Sequence, residues 1–189
     1  MAEAREIPAA RREPRSIAQL DMLHSLATRL NRLNDVQQIG AAIVAELQTI
    51  IDYHNARVYL LADDRETLAP IAFLGELTAE YGEETIEGLM TKVGEGITGR
   101  VAQTGESFYT PNALEVDFAV TIPGTIDVDE SMLVVPLKYG DRVTGVIVLS
   151  KLGVDQFDRE NLRLLEVLAG HAAVAFENAR LLQLERETA

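Results

Sequence analysis

Ser131-Met132-Leu133-Val134-Val135-Pro136-Leu137-Lys138, the turn Tyr139-Gly140-Asp141-Arg142, and Val143-Thr144-Gly145-Val146-Ile147-Val148-Leu149-Ser150-Lys151 decide the fold. Two β-branched, apolar runs joined by a Gly-Asp turn predict an antiparallel hairpin. The segment that follows, from Arg159 to about Leu184, predicts a long helix. Asp158 is placed as its N-cap, with a carboxylate that the helix dipole also favours. Phe157 and Leu162 are placed as a hydrophobic staple across that cap. Leu162, Leu165, Ala169, Ala172, Phe176 and Ala179 form one apolar stripe, and Leu164, Val167, Leu168, Val174, Leu181 and Leu182 lie beside it. Each leucine left in water forgoes ~1.5–3 kcal/mol of burial. So wide an apolar surface needs the helix's own sheet on one side and a second surface on the other, which points to a dimerising module.

Upstream of the hairpin, Ser16 to Leu33 predicts a helix that opens on a Ser16–Gln19 capping box, with Leu20, Leu23, Leu26, Ala27, Leu30 and Leu33 on one stripe. Asn34 or Asp35 caps a second helix running to about Ile51, with Val36, Ile39, Ile43, Val44 and Leu47 inward. Asn55–Leu61 and Thr67–Leu74 read as strands joined by an Asp63-Asp64 turn. Thr85 to Val93 alternates weakly and reads as a strand, and Ser107 to Thr110 as another. Residues 111–130 carry the Pro, Gly, Thr and Asp of a long loop, and loops of that length in compact domains are usually functional. Sequential hairpins between terminal helices give an α+β protein: an antiparallel sheet with a helical layer on one face and a loop-covered pocket on the other.

Composition narrows the function classes. At 189 residues, 47% hydrophobic and 25% charged, the chain suits one domain, expected over residues 16–184, with residues 1–15 a disordered leader and 185–189 the start of a linker to an output domain. No apolar run approaches a membrane span and no secretory signal opens the chain, so the expectation is a cytoplasmic protein. There is no cysteine, which removes disulfides, thiolate metal sites and thiol nucleophiles. The net charge is −13, and residues 75–130 hold 12 acidic residues against Lys92 and Arg100, or 10 of those negative charges. A field of that sign repels phosphate backbones and anionic lipid, so neither nucleic acid nor membrane is expected as a partner. On its own the acidity is ordinary solvated surface.

Gly94-Glu95-Gly96-Ile97-Thr98-Gly99-Arg100-Val101 matches both the dinucleotide fingerprint and the kinase glycine loop, but neither context follows. The helix after Gly99 is too short for a Rossmann crossover, and no kinase lysine or catalytic loop is present. The glycines read as a tight strand-to-helix turn. His24, His54 and His171 have no His, Asp or Glu at metal spacing, and no metal or other cofactor is expected. His24 and His171 suit helix packing or a dimer contact.

Taken together, Val93 to Ala102, Glu130 to Leu137, Gly145 to Leu149 with Phe157-Asp158, and Leu168 to Leu181 resemble a GAF domain, in order and over about Ser16 to Leu184. The resemblance implies a six-stranded antiparallel sheet with the terminal helices on one face and a ligand pocket on the other. It also implies a small-molecule sensory role, input to a kinase, cyclase, phosphatase or regulator of a signalling system such as a two-component system, and dimerisation through the terminal helices. The family carries a proline at the Pro136 position, which keeps that strand. Two branches of the family depart from this chain. Cyclic-nucleotide binders carry an Asn-Lys…Phe…Asp-Glu signature, where this sequence has Ser150-Lys151…Phe157 and a displaced acidic pair. Bilin binders and the methionine sulfoxide reductases of the fold use cysteine.

The expected function is therefore non-catalytic: a homodimeric sensor of an unidentified small molecule, with a ligand-free dimerisation module as the alternative. Expected pocket residues are Phe73, Met90, Ile97, Arg100, Val101, Phe108, Phe118, Ile122 and Met132, with Arg100 either facing an anionic group or held in a salt bridge. Expected dimer-helix residues are Leu23, Leu30, Leu168, Ala172, Phe176 and Leu182.

Overall fold

The computed structural model describes residues 6–9, 14–76 and 82–189, with side chains in the first helix from residue 17. Its elements run α1 (Pro14–Leu30), α2 (Val36–Glu46) with a 3-10 turn (Leu47–Thr49), β1 (Asn55–Leu61), β2 (Thr67–Gly75), α3 (Ile86–Leu89), β3 (Thr91–Lys92), α4 (Gly96–Thr104), β4 (Phe108–Thr110), a 3-10 turn (Ala113–Glu115), β5 (Glu130–Tyr139), β6 (Arg142–Leu152) and α5 (Arg159–Thr188). The six strands form one antiparallel sheet in the order β3-β2-β1-β6-β5-β4.

The pleat of β1, β5 and β6 separates two cores. Ala56, Val58, Leu133, Val135, Ile147 and Leu149 face the helices, where α5 lies along β5, α2 over β2 and α1 against α5. Tyr59, Met132, Val134, Val146 and Val148 face the other way and pack under Ile97, Val101 and Ala102 of α4. A one-residue slip in the β5–β6 register would exchange the two sets, so the register is held by how each set fits its own layer rather than by polarity. Pro136 sits in the interior of β5, opposite Val146 of β6. On its other side β4 reaches only to Phe108, opposite Val134. At Pro136 that side of β5 is therefore an edge, where a missing N–H is tolerated.

The start of α5 is built as the residue types require. Asp158 accepts from the Asn161 N–H at 2.9 Å while the Asn161 side chain accepts from the Asp158 N–H at 2.9 Å, a reciprocal capping box. Phe157 is buried and Leu162 packs against the same core.

Four expectations are corrected. The weak strand over Thr85–Val93 is mostly helix: the Thr85 hydroxyl accepts from the Gly88 N–H at 3.0 Å and starts α3, leaving only Thr91–Lys92 to pair with β2. The first helix starts at Pro14 rather than Ser16, and Gln19 is no capping residue, because its amide donates to the Ile50 carbonyl at 2.8 Å. The second helix stops at Glu46, with Asp35 as its cap through the Gln38 N–H. Within the expected leader, residues 6–9 are held to the domain: Ile7 packs on the helix-face core and the Pro8 carbonyl accepts from the Arg159 N–H at 2.7 Å. That donor belongs to the first turn of α5, whose N–H groups lack helical partners. Residues 1–5 and 10–13 lie outside the described residues.

Candidate functional site

The sheet face opposite the terminal helices is only partly covered by α4. Beside that helix lies a cavity of about 430 Å³, partly open to solvent. Its floor is Arg57 and Tyr59 of β1 with Glu130 and Met132 of β5. One wall is α3 with Met90, another is the start of α4 from Glu95 to Thr98, and the roof is the loop over residues 113–128. The volume falls in the range of small-molecule sites.

The glycine-rich turn positions the α4 wall. Gly94 and Gly96 both take positive φ, and the Gly94 N–H donates to the Gly99 carbonyl at 2.8 Å. A Cβ on Gly99 would stand 2.2 Å from the Lys92 carbonyl oxygen, so only glycine lets the strand and helix approach this closely. The turn thus brings the first residues of α4 to the cavity with no side-chain cap on them.

The roof is anchored at its base by buried and part-buried polar bonds. Asn112 donates to Asp129 at 2.7 Å, and Thr110 donates to the Asn112 carbonyl at 2.9 Å. The Ser131 hydroxyl lies 2.9 Å from the Pro111 carbonyl and 3.0 Å from that of Gly153. Tyr109 donates to Asp155 at 2.8 Å. These bonds tie both ends of the roof to the connection that leads into α5.

Arg57 and Glu84 form a buried ion pair on this face. The Arg57 Nη2 and Nε atoms stand 2.7 and 3.2 Å from Glu84 Oε1, with the two side chains 3% and 4% exposed. Removing one member of such a pair strands a buried charge and costs about 3–5 kcal/mol. Glu84 Oε2, Asn55 Oδ1 and Ser150 Oγ are buried and have no hydrogen-bond partner among the described residues. Burial pushes the Tyr59 hydroxyl above its ordinary pKa, with the Arg57 charge opposing and the Glu84 charge adding.

Of the nine expected pocket residues, the cavity brings together Met90, Ile97, Ile122 and Met132. Val101 is buried beneath α4 instead. Phe108 and Phe118 stack edge to face at 5.5 Å outside the cavity, and the Arg100 guanidinium covers the Phe118 ring at 4.3 Å. Arg100 is therefore an exposed cation–π partner rather than a cavity residue, and the described residues give it no ion pair. Phe73 is half-buried opposite Arg57 on the same sheet face, outside the lining. Arg57, Tyr59 and Glu130 escaped the sequence reading. The available signal for Arg57 was a charge inside the otherwise apolar run Ala56 to Leu61.

The expected dimer residues are also redistributed. Leu23, Leu30, Leu168, Ala172 and Phe176 are all buried inside this chain, because α1 and α5 pack on each other and on the sheet. Of the six, Leu182 alone is on the surface, 36% exposed. His24 and His171 are exposed and meet edge to face at 6.4 Å across α1 and α5, and His54 Nδ1 accepts from the Leu152 N–H at 3.0 Å. No cluster of metal-ligating side chains occurs among the described residues.

The chain matches the GAF domain family over residues 34–177. It belongs to that family. The six-stranded sheet of this GAF domain is shared by solved structures. It superposes with a TM-score of 0.77 on the GAF domain from a phosphoenolpyruvate-protein phosphotransferase of Coxiella burnetii, 20% identical over 89% of this chain and 98% of that one. The score is 0.74 for free methionine-R-sulfoxide reductase from Neisseria meningitidis, solved in complex with its substrate, which is 18% identical over 94% of this chain and 98% of that one. At these identities the likeness is one of fold. In sequence, the GAF domain is 29% identical over 150 residues to Nif-specific regulatory proteins of Azospirillum lipoferum and Azospirillum brasilense, which covers 77% of this chain. The chain spans only 23% of those relatives' length. No helix among the described residues is long and apolar enough to cross a membrane.

Proposed function

We propose that this GAF domain is the non-catalytic input module of a larger cytoplasmic signal-transduction protein. It binds a small molecule in the cavity and passes the resulting shift to its terminal helices, paired with a second copy. The observation that carries this reading is the 430 Å³ cavity under a roof whose base is hydrogen-bonded into the segment leading to α5. A ligand that draws the roof down acts directly on that segment. The similarity to Nif-specific regulatory proteins supports a regulatory role, and their greater length supports a separate output domain.

A binding rather than catalytic role is supported by the side chains at hand. The sequence has no cysteine, and no His, Ser or Lys is among the described residues lining the cavity. Pairing is supported by α5, where Val167, Val174 and Leu181 recur every seven residues on the surface at 37%, 42% and 45% exposure. That same stripe favours the second reading, a ligand-free dimerisation module. Calorimetry and thermal shift against a broad metabolite panel separate the two. A compound that raises Tm and gives a saturable heat supports sensing. A panel without any stabilising compound, in a chain that still dimerises, supports the second reading.

A further inference from the structure

The buried charges of the cavity are already engaged inside the protein, which leaves apolar surface to select the ligand; this inference rests on the sensing reading above. Arg57 is the one basic side chain among the described lining residues, and its buried guanidinium holds Glu84 Oε1 at 2.7 Å. An anion that takes Arg57 must displace Glu84 and strand a buried carboxylate without its counter-charge. Glu130 is buried on the floor and is itself engaged, so it offers no open acceptor to a cation. The other lining carboxylates, Glu87, Glu95 and Asp127, are exposed at the rim, where solvent screens them. The start of α4 has no side-chain cap, but the Glu95 charge opposes its partial positive charge.

The interior is otherwise largely apolar. Leu89, Ile97 and Met132 are buried around the cavity, with half-buried Val116 and Ile122 from the roof. At its mouth, Met90, Leu114, Val120 and Ile126 line the same cavity, and all four are exposed. Single exposed apolar side chains are ordinary, but a group of them around one opening marks a binding surface. The roof that carries three of the four is pinned at its tip as well as at its base. Gly82 pairs with Thr125, and a Cβ on Gly124 would stand 2.8 Å from the Glu83 carbonyl oxygen. Held at both places, the roof leaves its apolar rim in water until something enters the cavity.

We propose that the cavity takes an uncharged small molecule with an apolar body. That body packs on Leu89, Ile97 and Met132 and covers the exposed apolar rim as it enters. Thr91 and Thr98, half-buried in the lining, supply hydroxyls for a neutral polar group. A charged molecule of the same shape gives up its water without meeting an unengaged opposite charge inside, which disfavours it. The acidic rim further repels carboxylate and phosphate metabolites.

Calorimetry and thermal shift on the whole chain test this with probes of similar shape: 2-phenylethanol, phenylacetamide and indole against phenylacetate and phenethylamine. Expected is saturable binding within the neutral set, at least about tenfold weaker binding of both charged probes, and an affinity that does not fall as salt rises to about 0.5 M. Val120→Asn with Ile126→Asn changes only exposed rim side chains, so it should leave the fold intact and weaken neutral binding several-fold. A charged probe that binds as tightly as the neutral set overturns the proposal and leaves the sensing reading standing. Neutral binding that the rim variant does not weaken also overturns it, because the site then lies elsewhere. If no probe binds, the proposal fails, and the broad metabolite panel decides the sensing reading on its own.

Discussion

The backbone N–H of Gln156 donates to the Ser131 hydroxyl at 2.9 Å. Ser131 is fully buried at the second residue of β5, where its hydroxyl also faces the Pro111 and Gly153 carbonyls. One side chain therefore joins the start of the cavity roof, the end of β6 and the residues just before α5. It is a hydrogen-bonded link between the base of the proposed ligand site and the segment that enters the proposed output helix.

Ser131→Ala deletes these bonds and leaves the part-buried Gln156 N–H and the Gly153 carbonyl without the hydroxyl, while the Pro111 carbonyl keeps the Asp155 N–H. The expected loss is roughly 1–3 kcal/mol of stability by urea denaturation. Amide exchange should speed up first at Gln156 and in the roof base, ahead of the sheet centre. A variant with unchanged stability and unchanged exchange at Gln156 would remove Ser131 from the transmission route.

Much of the scaffold was legible because its signals are local. The Asp158 cap lies three residues from its partner Asn161, and the β5–β6 hairpin declares itself through two apolar runs and a turn. The site was less legible because its contacts are not local. Arg57 meets Glu84 27 residues away, and nothing in either neighbourhood names the other. Arg100 misled for a related reason: a charge at the start of a short helix looks like an anion reader until the fold brings Phe118 under it. The dimer residues misled because apolar periodicity shows how much of a helix must be covered, not which stripe the chain covers itself.

Two glycines give opposite expectations for the same substitution. Alanine normally gains up to ~1 kcal/mol over glycine inside a helix. A Cβ on Gly170 of α5 would meet no side chain or other element within 4 Å among the described residues, so Gly170→Ala should raise stability by about that amount. Gly99 in α4 would place its Cβ 2.2 Å from the Lys92 carbonyl oxygen. Gly99→Ala should therefore destabilise by about 1–3 kcal/mol, the usual range for overpacking a tight site, and should loosen the α4 wall of the cavity. Chemical denaturation of both variants reads the contrast, and equal effects would contradict the close approach.

Glu177 gives a pH-dependent expectation. A hydrogen bond from Arg180 Nη2 at 2.6 Å, with the Arg180 and Arg142 charges, holds its carboxyl below the usual value near 4.5 despite opposing burial. The folded state thus releases this proton more readily than the unfolded chain. Its contribution is present in full above the unfolded value of 4.5 and is lost as pH falls through the lower folded value. Both arginines are about half exposed, so the contribution is at most about 1 kcal/mol. The stability difference between the native chain and Glu177→Gln should be constant near neutrality and shrink in acid below pH 4.5. A difference that grows in acid would invert the assignment.

The two stripes of α5 make separable predictions about the dimer. Ala172 and Phe176 are 0% and 3% exposed within one chain, so a glutamate at either buries an unpaired charge in the helix-face core. Those variants should lose helical signal and cooperative unfolding instead of yielding folded monomers. Val174 and Leu181 lie on the exposed stripe, so Val174→Glu with Leu181→Glu should leave the circular dichroism spectrum unchanged. Under the proposed pairing, the same double variant should halve the mass by light scattering, because two glutamates per helix would face each other across the seam. A native chain that runs as a monomer at micromolar concentration, or a double variant that stays dimeric, places the partner surface elsewhere. In that case the exposed pair His24 and His171, bridging α1 and α5, marks the next face to charge.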